Sequence, residues 1–239
     1  MLFFFPKTSL PDLDELVDSF FRGIGFSGSH VYVGTSQGQL VAFTSSGTSG
    51  GGGGGAKASS FDGSDIKLEA ALPLSGANSP VLAVAASPRV VAYGLDNGTV
   101  IFLDPSKSHS VMFKNTASLS PCSALIAKDD IVVAGFATGL IRLFRCSISE
   151  MAIEIKAHSR PVSGLTFSPR NAYFASCGED QIVNVWDFPD FSTRANSSLN
   201  NIQSIKLQNQ YLTGITFISH DKIGVASYDD DFITILSAN

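Results

Sequence analysis

The chain has 239 residues, of which 44% are hydrophobic and only 15% are charged, with 22 glycines and 18 phenylalanines. This composition excludes general disorder, because low charge and abundant apolar side chains supply a hydrophobic core. It also disfavours a helical bundle, because Phe and Val favour strands whereas Gly and Ser favour turns. We therefore expect an all-β fold.

The net charge is −5, from 21 acidic and 16 basic residues. Nucleic-acid-binding domains usually carry a basic surplus or a basic stripe, so we expect no nucleic-acid partner. The cysteines, Cys122, Cys146 and Cys177, lie in apolar segments and are too few for a disulfide framework. The apolar run at residues 2–5 is too short for a signal peptide, and no run is long enough to cross a membrane. These features predict a cytoplasmic protein.

Five segments of the chain repeat one pattern: an apolar run, a small residue, a short turn and an alternating run that ends in a bulky residue. The segments are residues 31–43, 91–103, 132–144, 174–186 and 224–236. The small residues are Gly34, Gly94, Gly135, Cys177 and Ser227, and the bulky residues nine positions later are Phe43, Leu103, Phe144, Trp186 and Leu236. Each segment predicts a β-hairpin.

The spacing of the hairpins predicts a repeat architecture. The second, third and fourth small residues are 41 and 42 residues apart, which matches the ~40–45 residues of a four-stranded propeller blade. The first and last intervals are longer because they contain a Gly/Ser-rich stretch, 46–60, and a polar stretch, 192–201. We predict that both stretches are loop insertions within a single domain that covers residues 1–239.

Each hairpin is flanked by further predicted strands. First strands are predicted at residues 19–26, 81–86, 122–127, 162–167 and 212–218, and fourth strands at 66–74, 110–114, 151–157 and 202–208. The fifth unit has too few residues after Leu236 for a fourth strand, and residues 2–5 are the candidate to fill that sheet edge.

The fourth unit contains Lys156-Ala-His-Ser-Arg-Pro, Phe167-Ser-Pro, Ser176-Cys-Gly-Glu-Asp and Trp186-Asp187, in that order. This series resembles a WD40 repeat. The resemblance implies a WD40-type β-propeller in which His158, Ser176, Asp180 and Trp186 form one buried hydrogen-bonded chain. The resemblance also implies a propeller of about seven blades, so the five recognisable blades form either a five-bladed ring or an incomplete arc of a larger propeller. We expect the chain to match the C-terminal two thirds of a longer family member.

His158, Ser176 and Asp180 are also the three residue types of a hydrolase triad. The sequence around Ser176 has neither a strained nucleophile elbow nor an oxyanion-hole motif, so we expect a structural role and no catalytic residue. The histidines and cysteines are too scattered for a zinc site, and the acidic turn 229–231 lacks the further oxygen ligands of a calcium site. We expect no metal and no cofactor.

The resemblance implies a non-catalytic scaffold that binds other proteins through turns on one face of the propeller. Leu95, Phe136 and Tyr228 follow the small residues and are candidate anchors on this face, with Arg160 as a charged contact. The alternative is binding of a phosphoinositide membrane surface through Arg22. The segment Phe20-Phe21-Arg22-Gly23 partly resembles the Phe-Arg-Arg-Gly motif of lipid-binding propellers, with Phe21 in place of the first arginine.

Overall fold

The computed structural model describes residues 19–45, 66–72, 79–116, 119–170, 173–188, 199–228 and 230–237. In this part of the chain, 19 strands form five separate antiparallel sheets. Among the residues that the structure describes, the regular structure besides the strands consists of two short 3-10 turns, Pro105–Lys107 and Cys146–Ile148. The predicted all-β class and the five repeated units are confirmed.

The first four sheets have four strands each, and the fifth sheet has three described strands. The first sheet contains β1 (Phe21–Ser27), β2 (His30–Thr35), β3 (Leu40–Ser45) and β4 (Ile66–Leu72). The second contains β5 (Val81–Ala86), β6 (Val91–Leu95), β7 (Val100–Asp104) and β8 (Ser110–Asn115). The third contains β9 (Cys122–Lys128), β10 (Ile131–Phe136), β11 (Leu140–Arg145) and β12 (Glu150–Lys156). The fourth contains β13 (Val162–Phe167), β14 (Tyr173–Gly178), β15 (Ile182–Asp187) and β16 (Asn201–Lys206), and the fifth contains β17 (Leu212–Phe217), β18 (Lys222–Ser227) and β19 (Ile233–Ser237).

Within each sheet the strands follow one another in chain order, so every connection is a hairpin. All predicted first and fourth strands are present, and their ends agree with the prediction to within two residues. The stretch 46–60 lies outside the described residues, as do residues 2–5 and most of the stretch 192–201. Asn201, the last residue of that stretch, is the first residue of β16.

Consecutive sheets meet where a small residue in the second strand of one sheet faces the first residue of the next sheet. A Cβ atom added to Gly34 would lie 2.3 Å from Cγ1 of Val81, and one added to Gly135 would lie 2.6 Å from Cγ1 of Val162. These distances leave no room for a side chain, and both valines are fully buried. The repeat therefore requires a small side chain at this position, because the neighbouring inner strand lies so close.

In the fifth sheet the small residue at this position is Ala226, one residue before the predicted Ser227. Cys177 of the fourth sheet pairs with Val183, six positions later, whereas Ala226 pairs with Ile233, seven positions later. The turn between β18 and β19 therefore contains one extra residue. The repeat pattern of the five segments does not show this extra residue and so shifts the small position by one. The prediction for Ser227 is wrong by one position.

The five sheets form an open arc. The innermost strands β1, β5, β9, β13 and β17 contact one another in this order. Among the described residues, no comparable packing joins β17 back to β1. Of the two alternatives for the five blades, the structure therefore shows the incomplete arc and not the closed ring.

The hydrophobic core lies between neighbouring sheets. Between the second and third sheets, the rings of Phe102 and Phe113 stack with centroids 4.1 Å apart, and Phe144 of the third sheet lies 4.9 Å from Phe102. Phe102 and Phe144 are both completely buried. Burial of aromatic side chains of this size contributes about 1.5–3 kcal/mol each to the free energy of folding.

The close approach of the inner strands gives a direct stability prediction. Replacement of Gly135 by valine should lower the free energy of unfolding by roughly 1–3 kcal/mol, because the new side chain overlaps Val162. The matched control is Gly214→Val in β17, where an added Cβ meets no atom within 4 Å. Urea unfolding followed by the fluorescence of the single tryptophan measures both changes. An equal loss in the two variants would contradict a specific role for the small residue between sheets.

Candidate protein-interaction face

One face of the arc is defined by a backbone hydrogen bond that recurs in every sheet. The first residue of the turn between the second and third strands donates its N–H to the carbonyl of the residue that precedes the first strand. The five donors and acceptors are Ser36 and Phe20, Asp96 and Pro80, Ala137 and Pro121, Glu179 and Pro161, and Tyr228 and Tyr211. We call the surface formed by these turns and the segments beside them the turn face.

The four residues of the WD40-like network come together beneath the turn face in the fourth sheet. The indole N–H of Trp186 donates to Ser176 Oγ at 2.9 Å, and the Ser176 hydroxyl donates to His158 Nε2 at 2.8 Å. His158 Nδ1–H donates to Asp180 Oδ1 at 3.0 Å. The carboxylate of Asp180 can only accept, so this arrangement fixes the neutral His158 tautomer with its proton on Nδ1.

The environment favours this protonation state. Burial lowers the pKa of His158 below its ordinary value of 6.5, although the hydrogen bond and the charge of Asp180 oppose the change. Burial of the Asp180 carboxyl would raise its pKa, but hydrogen bonds from the Ser159 backbone and from His158 give a net lowering. The histidine is therefore neutral and the aspartate charged at neutral pH, and every side-chain polar atom of the four-residue network has a hydrogen-bond partner.

Gly178 leaves the space that His158 needs. A Cβ atom at residue 178 would lie 2.7 Å from His158 Nδ1 and 2.9 Å from Asp180 Oδ1. The glycine of the Ser-Cys-Gly-Glu-Asp segment is therefore required by the contact between the imidazole and the carboxylate. The second and third sheets have Leu95 and Phe136 at this strand position, and they carry no such histidine.

The network does not have the accessibility of a catalytic triad. Ser176 has no exposed surface and His158 is only 3% exposed. The Ser176 oxygen already accepts from Trp186 and donates to His158, so a substrate could not reach it without disruption of the sheet. The arrangement is that of a structural hydrogen-bond chain.

Two of the predicted anchors are buried. Leu95 is 2% exposed and belongs to the core between the first and second sheets. Phe136 has no exposed surface, and the guanidinium of Arg142 lies 5.0 Å from its ring centroid. Each is the last residue of a second strand, and its side chain points between sheets. The prediction that they contact a partner is wrong for this reason.

Tyr228 and Arg160 lie exposed on the turn face. Tyr228 is 66% exposed because β18 ends at Ser227 and Tyr228 begins the turn that follows. Arg160 lies just before the first strand of the neighbouring fourth sheet and is also exposed. The two residues thus occupy the same face in adjacent sheets.

Sequence reasoning missed two residues of this surface, Tyr211 and Glu179. The Tyr211 hydroxyl forms a hydrogen bond with Glu179, which raises the pKa of the tyrosine, and the charge of Arg160 partly opposes this effect. Tyr211 is 45% exposed. A signal was present in the sequence, since Tyr211 occupies the position held by Pro80, Pro121 and Pro161 in the three preceding sheets. We call Arg160, Glu179, Tyr211 and Tyr228 the tyrosine patch.

Arg22, the residue of the lipid-binding alternative, lies in β1 and pairs with Gly34. The strand around it exposes Phe20, Phe21 and Ile24, so the surface near Arg22 is apolar and not a basic clamp. In the described ranges, no three His, Cys, Asp or Glu side chains are grouped as metal ligands would be. Over the same ranges no helix has the length and apolar character needed to span a membrane.

All three cysteines are free and buried. Burial raises the pKa of Cys122 and Cys146 to about 12 and that of Cys177 to about 11. The thiols are therefore protonated and inert at neutral pH, as expected for small core residues.

The five repeated antiparallel sheets and the His–Ser–Asp–Trp chain define a WD40-type β-propeller. A family model described as WDR54 matches residues 9–238. The chain therefore belongs to the WDR54 family. The motifs Phe21-Arg-Gly-Ile-Gly and Val225-Ala-Ser-Tyr-Asp, together with the His158 repeat, also resemble WD repeat-containing protein 54, and this resemblance is confirmed.

The chain is 25% identical to WD repeat-containing protein 54 of Mus musculus over 182 residues, which cover 73% of this chain and 50% of that protein. It therefore spans about half the length of this relative. It is also 34% identical over 85 residues to the SAGA complex/transcription factor TFIID complex subunit Taf5 of Schizosaccharomyces pombe, covering 30% of this chain and 12% of that protein. The crystal structure of the computationally designed Ika4 protein superimposes with a TM-score of 0.58 at 20% identity, covering 70% of this chain and 96% of that one. This last likeness concerns the fold alone.

Replacement of Ser176 by alanine should lower the free energy of unfolding by roughly 1–3 kcal/mol, because it leaves the Trp186 N–H and His158 Nε2 buried without partners. The matched control is Ser110→Ala in β8, an exposed strand serine, where a change within about 0.5 kcal/mol is expected. Chemical denaturation measures both. A loss no larger than that of the control would mean that the network adds nothing to stability.

The protonation states also predict acid sensitivity. The folded pKa of His158 lies below 6.5, so the unfolded chain binds more protons as the pH falls below that value, and stability is lost. The lowered pKa of Asp180 acts in the same direction at lower pH. The melting temperature should therefore fall between about pH 7.5 and about pH 5.5, and His158→Gln should reduce this dependence. An unchanged pH dependence in the variant would contradict the assignment to His158.

Proposed function

We propose that this protein is a non-catalytic scaffold that binds another protein through the tyrosine patch on the turn face of the fourth and fifth sheets. The observation that carries the proposal is the exposure of two tyrosines in adjacent sheets on the face where the turns converge. Tyr228 is 66% exposed and Tyr211 45%. Aromatic side chains of this kind commonly anchor protein interfaces.

The backbone beneath the patch supports this role. The Tyr228 N–H donates to the Tyr211 carbonyl at 2.7 Å, which ties the two tyrosines together. Glu179 donates its own N–H to the Pro161 carbonyl at 3.0 Å, next to Arg160. Because the residue that begins each turn is hydrogen-bonded to the backbone before the first strand of its sheet, less conformational entropy of these residues would be lost on binding.

The side chains of the patch also influence one another. Glu179 raises the pKa of the Tyr211 hydroxyl across the boundary between two sheets. Arg160 lies close enough to influence the same hydroxyl through its charge. A partner would therefore meet a surface with apolar ring faces, one acidic group and one basic group, which supports specificity as well as affinity.

The net charge of the chain and the names of its relatives also support a protein partner. The net charge of −5 does not favour nucleic acid, and the fission-yeast relative is a subunit of multiprotein complexes.

We further propose a cytoplasmic location, because three buried thiols without a disulfide suit a reducing compartment. Fluorescence microscopy of the tagged chain tests the location, and exclusive nuclear signal would contradict it.

Site-specific photo-crosslinking tests the interaction surface. A photoreactive phenylalanine analogue at position 228 should capture a defined protein in cell extract. The matched control is position 173: Tyr173 is also exposed, at 40%, but begins β14 at the end of the sheet opposite the turn face. Tyr211→Ala and Arg160→Glu should each reduce the yield from position 228 by about tenfold, whereas Tyr173→Ala should not change it.

Two results would contradict the proposal. The first is the same set of products from positions 228 and 173, which would mean that capture is unspecific. The second is a yield that is unaffected by Tyr211→Ala and Arg160→Glu. The melting temperatures of all variants serve as the control for folding, and they should be unchanged because the substituted side chains are exposed.

A further inference from the structure

A cavity of about 230 Å³ lies between the fourth and fifth sheets. Val185 and Ile202 form part of its wall on the fourth sheet, and Phe217, Ile223 and Leu236 form its apolar wall on the fifth. Phe217 is the last residue of β17 and Leu236 lies near the end of β19, which places the cavity at the end of the sheets opposite the turn face. The cavity is therefore separate from the tyrosine patch.

The cavity exists because this boundary lacks the bulky side chains of the two preceding boundaries. Between the second and third sheets, Phe102 and its cross-strand neighbour Phe113 pack against Phe144. The residues at the same register positions are Leu143, Ile153 and Trp186 between the third and fourth sheets, and Val185, Gln203 and Leu236 between the fourth and fifth. The smaller or polar side chains of the last set leave a space where aromatic rings pack in the earlier boundary.

The end of the fifth sheet does not account for the cavity. Among the described residues, β8, β12 and β16 contribute no side chain to the cores of the boundaries that precede their own sheets. These are the fourth strands of the second, third and fourth sheets. By the same geometry, a fourth strand beside β19 would not fill the boundary between the fourth and fifth sheets. The cavity therefore follows from the side chains of an internal boundary.

Asp221 adds a negative charge to this apolar cavity. The Ser219 hydroxyl donates to Asp221 Oδ1 at 2.6 Å, and this hydrogen bond lowers the pKa of the carboxyl. Of the described residues that line the cavity, Asp221 is the one carboxylate. Its side chain is 42% exposed, so a cation that approaches the cavity from solvent can reach it.

We propose that this cavity binds an aromatic side chain of another protein, in a segment that carries a basic residue beside the aromatic one. The ring would occupy the place that Phe113 has between the second and third sheets, and the basic group would pair with Asp221. The volume favours a single side chain, because pockets for drug-sized ligands measure ~300–1,000 Å³. Aromatic side chains are also frequent anchors of protein interfaces. This second site does not depend on the proposed function of the tyrosine patch.

Binding of short capped peptides to the purified 239-residue chain tests the proposal, with saturation-transfer NMR as the measurement. Acetyl-Phe-Arg-amide should bind with a dissociation constant of roughly 1 mM, because one side chain and one ion pair bury little surface. Acetyl-Ala-Arg-amide lacks the ring and acetyl-Phe-Glu-amide reverses the charge. Each should bind at least about fivefold more weakly.

Two substitutions locate the bound peptide. Gln203→Phe supplies a ring from the chain itself, as Phe113 does in the second sheet, and should abolish the binding of acetyl-Phe-Arg-amide without a fall in melting temperature. The matched control is Gln208→Phe, at an exposed position outside the cavity, which should leave the binding unchanged. Asp221→Asn should weaken acetyl-Phe-Arg-amide about fivefold and leave acetyl-Phe-Ala-amide unaffected.

Three results would overturn the proposal. The first is no saturation transfer to acetyl-Phe-Arg-amide at about 10 mM peptide. The second is equal binding of the three peptides, which would mean that neither ring nor charge is recognised. The third is undiminished binding by the folded Gln203→Phe variant, which would place the peptide elsewhere.

The two binding sites can fail independently. Tyr211→Ala should leave the binding of acetyl-Phe-Arg-amide unchanged, and Gln203→Phe should leave the crosslinking from position 228 unchanged, because the cavity and the tyrosine patch lie at opposite ends of the sheets. Loss of both signals in either variant would mean that the two places form one site, and this would contradict the proposal of a second one.

Discussion

The close approach of one inner strand to the next is the constraint on which the rest of the structure depends. It requires a residue without a bulky side chain in the second strand of each sheet, and Gly34, Gly94, Gly135 and Cys177 satisfy it. Because every sheet repeats the same contact, the sheets follow one another in a regular arc. The turns after the second strands consequently all emerge on the same side, and this creates the turn face.

The fourth sheet holds its second and third strands together differently from the other sheets. Ser176 bonds Trp186 and His158 there, whereas the third sheet has Ala134 and Phe144 at the same register positions. Phe144 packs against Phe102 of the second sheet and needs no polar partner. The polar network therefore adds to apolar packing in the fourth blade, because Trp186 also packs in the core beside Phe174. The network also links the segment before β13 to the turn after β14, because the His158 side chain and the Ser159 backbone both donate to the Asp180 carboxylate. These bonds fix the backbone next to Arg160 and Glu179.

The sequence predicted the hairpins well because the repeat of small and bulky residues reflects the boundaries between sheets directly. It predicted the turn face less well. A turn one residue longer in the fifth sheet cannot be recognised from composition, since Tyr228 and its neighbours are acceptable in either a strand end or a turn. Phe136 is buried in the core between the second and third sheets, beside Arg142, a buried cation that bonds Glu154 at 2.6 Å and also Asn115 of the second sheet. Such a contact between sheets leaves no local pattern in the sequence.

The exposed apolar side chains of the arc point in two different directions. Phe21 and Ile233 face along the arc, where another sheet would continue the row, whereas Tyr211 and Tyr228 lie on the turn face. Because the two surfaces are separate, a protein bound at the tyrosine patch would leave the first and last sheets free to pack against further sheets of the propeller.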